Sequence, residues 1–129
     1  MPKSEIQEFA KILVQSVRDA AIQSCDRQRK PGVNSPIAIR WREAAVNNKI
    51  GQNVPENIMI QDCVDETVAH LLLAIDQGLL RISFTASNGK TVDLANDGLG
   101  ELCGWYMGSG GWRAMFAHER FIDDFSDLR

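Results

Sequence analysis

Imidazoles, thiols and paired carboxylates are where catalytic or metal chemistry would sit. The chain offers only His70 and His118, with Cys25, Cys63 and Cys103. Asp62, Glu66 and His70 stand four residues apart, which places them on one stripe of a helix. A carboxylate–imidazole stripe binds metal or relays protons, yet carboxylate-bridged bundles need Glu-x-x-His, a spacing of three, and need it twice. A single stripe at spacing four is expected to be a solvated face with a Glu66–His70 contact. His118-Glu119 would open a zinc-protease helix only with histidine at 122, where Ile122 stands. Asp123, Asp124 and Asp127 lack the glycine and glutamate of a calcium loop and read as a solvated acidic end. The cysteines are odd in number and form no C-x-x-C pair, so neither a zinc ribbon nor a redox motif is available. No local pattern pairs them with His70 or His118 as nucleophiles. They are expected to be reduced, mostly core thiols, as in a cytoplasmic protein.

Gly108-Ser109-Gly110-Gly111 invites comparison with a phosphate loop. A Walker loop would follow its last glycine with Lys-Ser/Thr, whereas Gly111 is followed by Trp112-Arg113. Gly98-Leu99-Gly100 would need glycine at 103 for a dinucleotide fingerprint and has Cys103. Ser109 is not in a nucleophile elbow. The glycine run is therefore expected to be a joint between two helices, whose amides at 110–112 could hold an anion beside Arg113. No catalytic residue, metal site or cofactor is assigned from the sequence.

Aromatic residues carry the clearest binding signal. Trp105, Tyr106, Trp112, Phe116, Phe121 and Phe125 crowd the C-terminal segment, and two tryptophans flank the glycine joint beside Arg113. Core packing is one reading. The other is a binding surface of Trp105, Tyr106, Trp112 and Arg113, with Arg40 from the basic part of the chain, because Trp, Tyr and Arg dominate interface hot spots.

The elements that must position these residues follow from periodicity. A first helix is expected over 4–24, with Ser4 and Gln7 as a capping box. Ile6, Phe9, Ala10, Leu13, Val17, Ala20 and Ala21 form its apolar face, and Arg18 and Asp19 lie opposite. Ile22 is out of phase, on the polar side. Ser35-Pro36 starts a second helix running to about Asn48, with Ile37, Trp41, Ala44 and Ala45 on its packed face. Gly51 and Pro55 bracket a loop. A third helix begins between Pro55 and Asp62 and ends near Gln77, capped by Gly78. Ile60, Val64, Val68, Leu71, Leu72 and Ile75 form its stripe, and Leu73 projects to the polar side.

From 79 to 95 the period changes to two, the signature of a β-hairpin. A two-residue turn would mix apolar and polar residues on both faces. A three-residue loop, Ser87-Asn88-Gly89, pairs Phe84 with Val92, Ser83 with Asp93 and Thr85 with Thr91, which sorts the faces. The third helix is expected to cover the apolar side. Asn96-Asp97 then caps a fourth helix carrying Leu99, Leu102, Cys103 and Tyr106, and a last helix begins near Trp112 with Phe121, Ile122 and Phe125 among its apolar residues.

The 129 residues are 44% hydrophobic and 24% charged, the composition of an ordinary globular domain and not of a collagen or disulfide scaffold. The expected fold is one domain, 1–129, of the α+β class and mainly α: four to five helices packed with one antiparallel β-hairpin (about residues 79–95). Residues 1–50 carry a balance of +4 and residues 51–129 one of −7, within a total of −3. The basic part gathers at Arg27, Arg29, Lys30, Arg40 and Arg42, but a strongly basic patch of the nucleic-acid type is missing. The opening residues are acidic where a signal peptide is basic and then apolar, and no apolar run approaches a membrane span. In size, acidity and lack of a catalytic cluster the chain is similar to small bacterial immunity proteins, a likeness of composition only. The function expected is a cytoplasmic protein-interaction module of inhibitor or immunity type. The alternative is a small-molecule-binding protein or enzyme with an aromatic C-terminal pocket. The hairpin has few edge-blocking residues, so self-association through it into a homodimer with a four-stranded sheet is also expected.

Overall fold

The computed structural model describes residues 3–47 and 56–123. It is mainly helical with one two-stranded antiparallel sheet. The expectations made for Asn48, Gly51, Pro55, Asp124, Phe125 and Asp127 lie outside the described residues.

The first helical rod is longer than its periodicity predicts and is not uniform. It joins α1 (Ser4–Ile12), a π-helical segment (Leu13–Asp19) and α2 (Ala20–Gln28). The capping box does not form: Lys3 is the N-cap, its carbonyl accepts from Gln7 N–H at 3.0 Å, and the Ser4 hydroxyl turns to Glu5 instead. From within the π segment onward the faces exchange. Val17, expected in the core, is exposed, whereas Arg18, Asp19 and Ile22, expected on the polar side, are buried. A π turn holds more residues than an α turn, so each later residue lags in phase. A uniform helical wheel misplaces them for that reason.

Ser35 caps α3 (Pro36–Asn47) as expected, its hydroxyl accepting from Ala38 N–H at 3.1 Å. The packed face expected of α3 is absent. Ala38 is buried and Trp41 half-buried, while Ile37, Ala44 and Ala45 are exposed. α4 (Glu56–Asp76) stops at Gly78, which takes φ 76°. Val68, Leu72 and Ile75 face inward, and Leu71 and Leu73 are exposed.

The hairpin β1 (Ser83–Thr85) and β2 (Thr91–Asp93) adopts the register that sorts its faces: Ser83 with Asp93, Phe84 with Val92, Thr85 with Thr91. Ala86 N–H donates to Lys90 at 2.8 Å, so the loop is Ser87-Asn88-Gly89, with Gly89 at φ 86° as the loop type requires. Its cover is the first helix rather than the third. α1 packs on both strands, and Phe9 meets Phe84 edge-to-face at 5.7 Å. The Glu8 carboxylate also accepts Ser87 N–H through both oxygens, at 2.8 and 3.1 Å.

The fourth helix is two. α5 (Leu94–Asp97) is capped by Asp93, whose side chain accepts from Ala95 N–H. Leu99 then takes φ 56°, and a new helix, α6 (Leu102–Met107), begins. Asp76 makes that break tolerable: its two carboxylate oxygens accept the N–H groups of Leu102 and Cys103 at 2.9 Å each. α7 (Trp112–Phe116) begins where expected but ends before Phe121 and Ile122. The core gathers Ile6, Leu13 and Val14, then Leu72 and Ile75, then Val92, Leu94, Leu102, Tyr106 and Trp112.

Candidate functional site

The most concentrated chemistry in the molecule is buried. Gln61 and Asp65 continue the inward stripe of α4 toward its N-terminus, Asp65 three residues ahead of Val68 and Gln61 four ahead of Asp65. Asp65 is the hub. Its Oδ1 accepts from Arg18 Nε and from the Tyr106 hydroxyl, both at 2.7 Å. Its Oδ2 accepts from Gln61 Nε2 and Arg113 Nη1, both at 2.9 Å. Arg18 Nη1 also reaches Asp19 Oδ1 at 2.7 Å, and Asp19 accepts the N–H groups of His118 and Glu119. Arg18 Nη2 also donates to Asp65 Oδ2 at 3.4 Å, and both guanidiniums donate to backbone carbonyls: Arg18 to Glu119 and Arg120, Arg113 to Tyr106 and Met107.

Two arginines face two aspartates, so the cluster is electrically balanced with no member more than 3% exposed. Burial works to raise the Asp65 carboxyl, but hydrogen bonds from Arg18 and Tyr106 and the Arg18 charge outweigh it and hold it below the ordinary range. Burial, joined by the bond and charge of Asp65, pushes the Tyr106 hydroxyl far up. A carboxylate occupied by this many donors and a tyrosine held protonated have no proton to trade at neutral pH. Among the described residues no buried side-chain polar atom lacks a partner. This cluster fastens the π segment, α4, α6, α7 and the chain after α7 to one another.

That assignment decides where the sequence-derived candidates fall. Tyr106, Trp112 and Arg113 are interior. Trp105 is half-buried and packs on Trp112 at a ring distance of 6.0 Å. Arg113 lies over the rings of Tyr106 and Phe121 at 5.6 and 5.1 Å, directed at Asp65 and away from any anion at the glycine joint. Arg40 sits apart from these four, exposed on α3. Periodicity passed over Arg18, Asp19, Gln61 and Asp65. The signal for the last two was present in the heptad-like spacing 61, 65, 68, 72, 75.

Two surfaces stand out among the described residues. One is α3, where Ile37, Ile39 and Val46 are exposed, Val46 to 72%. Exposed Arg27, Lys30 and Arg40 belong to the same part of the chain. The other is an open groove of about 590 Å³ between α4 and α6, lined by Glu66, His70, Leu73, Cys103 and Met107 among others. The solvated stripe is present as expected: His70 Nδ1 lies 2.8 Å from the Glu66 carbonyl and 3.7 Å from its carboxylate. Cys103 is half-buried, and burial, with the charges of Asp76 and Glu66, pushes its thiol up, the opposite of nucleophile activation. Cys63 is exposed and Cys25 half-buried, so the expectation of core thiols is not met. Cys63 projects from α4 opposite its inward stripe. Among the described residues no group of three His, Cys, Asp or Glu converges to hold a metal ion, and no helix is long and apolar enough to cross a membrane. Comparison with known proteins finds no matching family model, curated protein or solved structure.

Proposed function

We propose that the chain is a protein-interaction module, of inhibitor or immunity type, that presents α3 to an acidic and partly apolar protein surface. The observation that carries this reading is the state of α3: a helix with Ile37, Ile39 and Val46 in solvent and Ala38 as its buried residue. Isoleucines and valines exposed along a helix face mark an interaction face. Trp41 and Arg40 supply the residue types that dominate such faces. The positive balance of residues 1–50 favours an acidic partner through complementarity. A comparison of captured proteins tests it, using the wild type and the variant Ile37→Ser/Ile39→Ser/Val46→Ser on affinity resin with native cell extract. A protein retained by the first and lost by the second supports the reading. Identical capture by both refutes it.

A second copy of the chain is the other partner class, at the outer edge of β1. Leu79, Leu80 and Ile82 lead into that strand exposed, Leu79 to 74%. Pairing two hairpins there would cover them and complete a four-stranded sheet. Sedimentation equilibrium at micromolar concentration decides this, and a mass near 14.4 kDa rejects it.

A further inference from the structure

Gly104 lies inside α6, where glycine destabilises a helix relative to alanine, and nothing in the backbone requires it. Its φ is not in the left-handed region, and a Cβ built on it would meet no atom within 4 Å. Gly108 differs: a Cβ there would stand 2.7 Å from the Gly104 carbonyl oxygen. The empty space over Gly104 is the groove between α4 and α6. Its volume, about 590 Å³, is that of a small-molecule site. The floor is apolar, from Ala69, Leu73 and Met107. The exposed Glu66 carboxylate lines it, with the His70 imidazole 3.7 Å away. No lysine or arginine lines it.

We propose that this groove binds a small apolar ammonium compound, its hydrocarbon body over Gly104 between Leu73 and Met107 and its cationic head at Glu66. Charge complementarity selects the cation: an anion would face the Glu66 carboxylate with no Lys or Arg in the lining. The site is separate from α3 and stands whether or not α3 binds a protein.

Cys103 lines the groove and serves as its reporter in a Cys25→Ser/Cys63→Ser background. The measurement is the rate of Cys103 modification by a neutral thiol reagent, with phenethylammonium, 2-phenylethanol or 3-phenylpropionate present at about 10 mM. Phenethylammonium is expected to slow modification most. Glu66→Gln should reduce its advantage over the alcohol by about two- to five-fold, the range of a solvent-exposed ion pair. Gly104→Leu should abolish the protection, and Gly104→Ala should weaken it while raising the unfolding midpoint. Equal protection by all three probes would overturn the cationic ligand, and no protection by any would overturn the site. Loss of the fold in Gly104→Ala would show that the glycine is structural and would also overturn the argument.

Discussion

Replacing Asp65 by alanine removes the one carboxylate shared by Arg18 and Arg113. Arg18 keeps Asp19 at 2.7 Å, but Arg113 is left with only the carbonyls of Tyr106 and Met107. Both guanidiniums stay charged and buried, so the balance of two against two becomes two against one. Breaking a buried pair from one side destabilises by about 3–5 kcal/mol. A domain of this size has about 5–15 kcal/mol in total, so the variant should lose a large share of its stability. Urea unfolding followed by tryptophan fluorescence reads the change. The double variant Asp65→Asn/Arg113→Met should lose less than its single variants predict together, because no lone charge remains. The acid limb adds a second signature. Unfolded, Asp65 takes up its proton near the ordinary value of 3.8; folded, it does so lower. Around pH 4 the unfolded chain therefore binds more protons, and stability rises with pH there. The contribution of Asp65 is full above that value and is lost as pH falls toward the folded one. In Asp65→Asn that part of the acid dependence should vanish. A loss below about 1 kcal/mol in Asp65→Ala would mean that the arginines reach solvent on their own and would refute the lock.

Other consequences follow from burial. Trp112→Ala should cost about 3–5 kcal/mol in the same unfolding assay, as a core deletion does, since Trp112 is 2% exposed and packed by Phe9 and Trp105; a nearly unaffected midpoint would return Trp112 to the surface. In native protein Cys63 should react with a thiol reagent well before Cys25 and Cys103, and mass spectrometry of partly modified protein checks the order. Simultaneous modification of all three would contradict the placement of Cys103.

How far the sequence reads depends on what each element asks of it. The hairpin was legible to the register, because alternation and one glycine leave a single pairing that keeps Ile82, Phe84, Val92 and Leu94 together. The C-terminal end of α4 was legible from Gly78. The split of α5 from α6 was not, because Leu99 is a residue that rarely takes positive φ, and the acid that caps α6 is Asp76, twenty-six positions away. The buried cluster was hidden for a related reason. Patterns of apolar residues find cores, and Arg18, Asp19, Gln61 and Asp65 are core residues whose partners are one another. Only the continuation of the α4 stripe through 61 and 65 pointed there. The aromatic residues were located correctly along the chain, but composition does not distinguish an interior cation–π contact, such as Arg113 over Phe121, from a hot spot.

The π segment offers the sharpest separation between a local accident and a functional placement of residues. At about 100° per residue, an α-helix running from Val14 to Ile22 would turn Ile22 about 80° away from the face that Val14 buries. Both are fully buried, so the rod has absorbed about one extra residue between them. Deleting an exposed residue in that interval should convert the π segment to α-helix while leaving both flanking faces aligned. Ser16 is exposed and hydrogen-bonds to no other described side chain, so its deletion is the suitable variant. Far-UV circular dichroism should keep its helical shape, and the unfolding midpoint should shift by less than the Asp65→Ala variant shifts it. Deleting Thr67 from α4, an exposed residue in a regular helix, would instead rotate everything beyond it by about 100° and carry Val68, Leu72 and Ile75 out of the core. That variant should not fold. If the two deletions are equally damaging, the rod does not hold a surplus residue. The burial of Arg18, Asp19 and Ile22 would then need another cause.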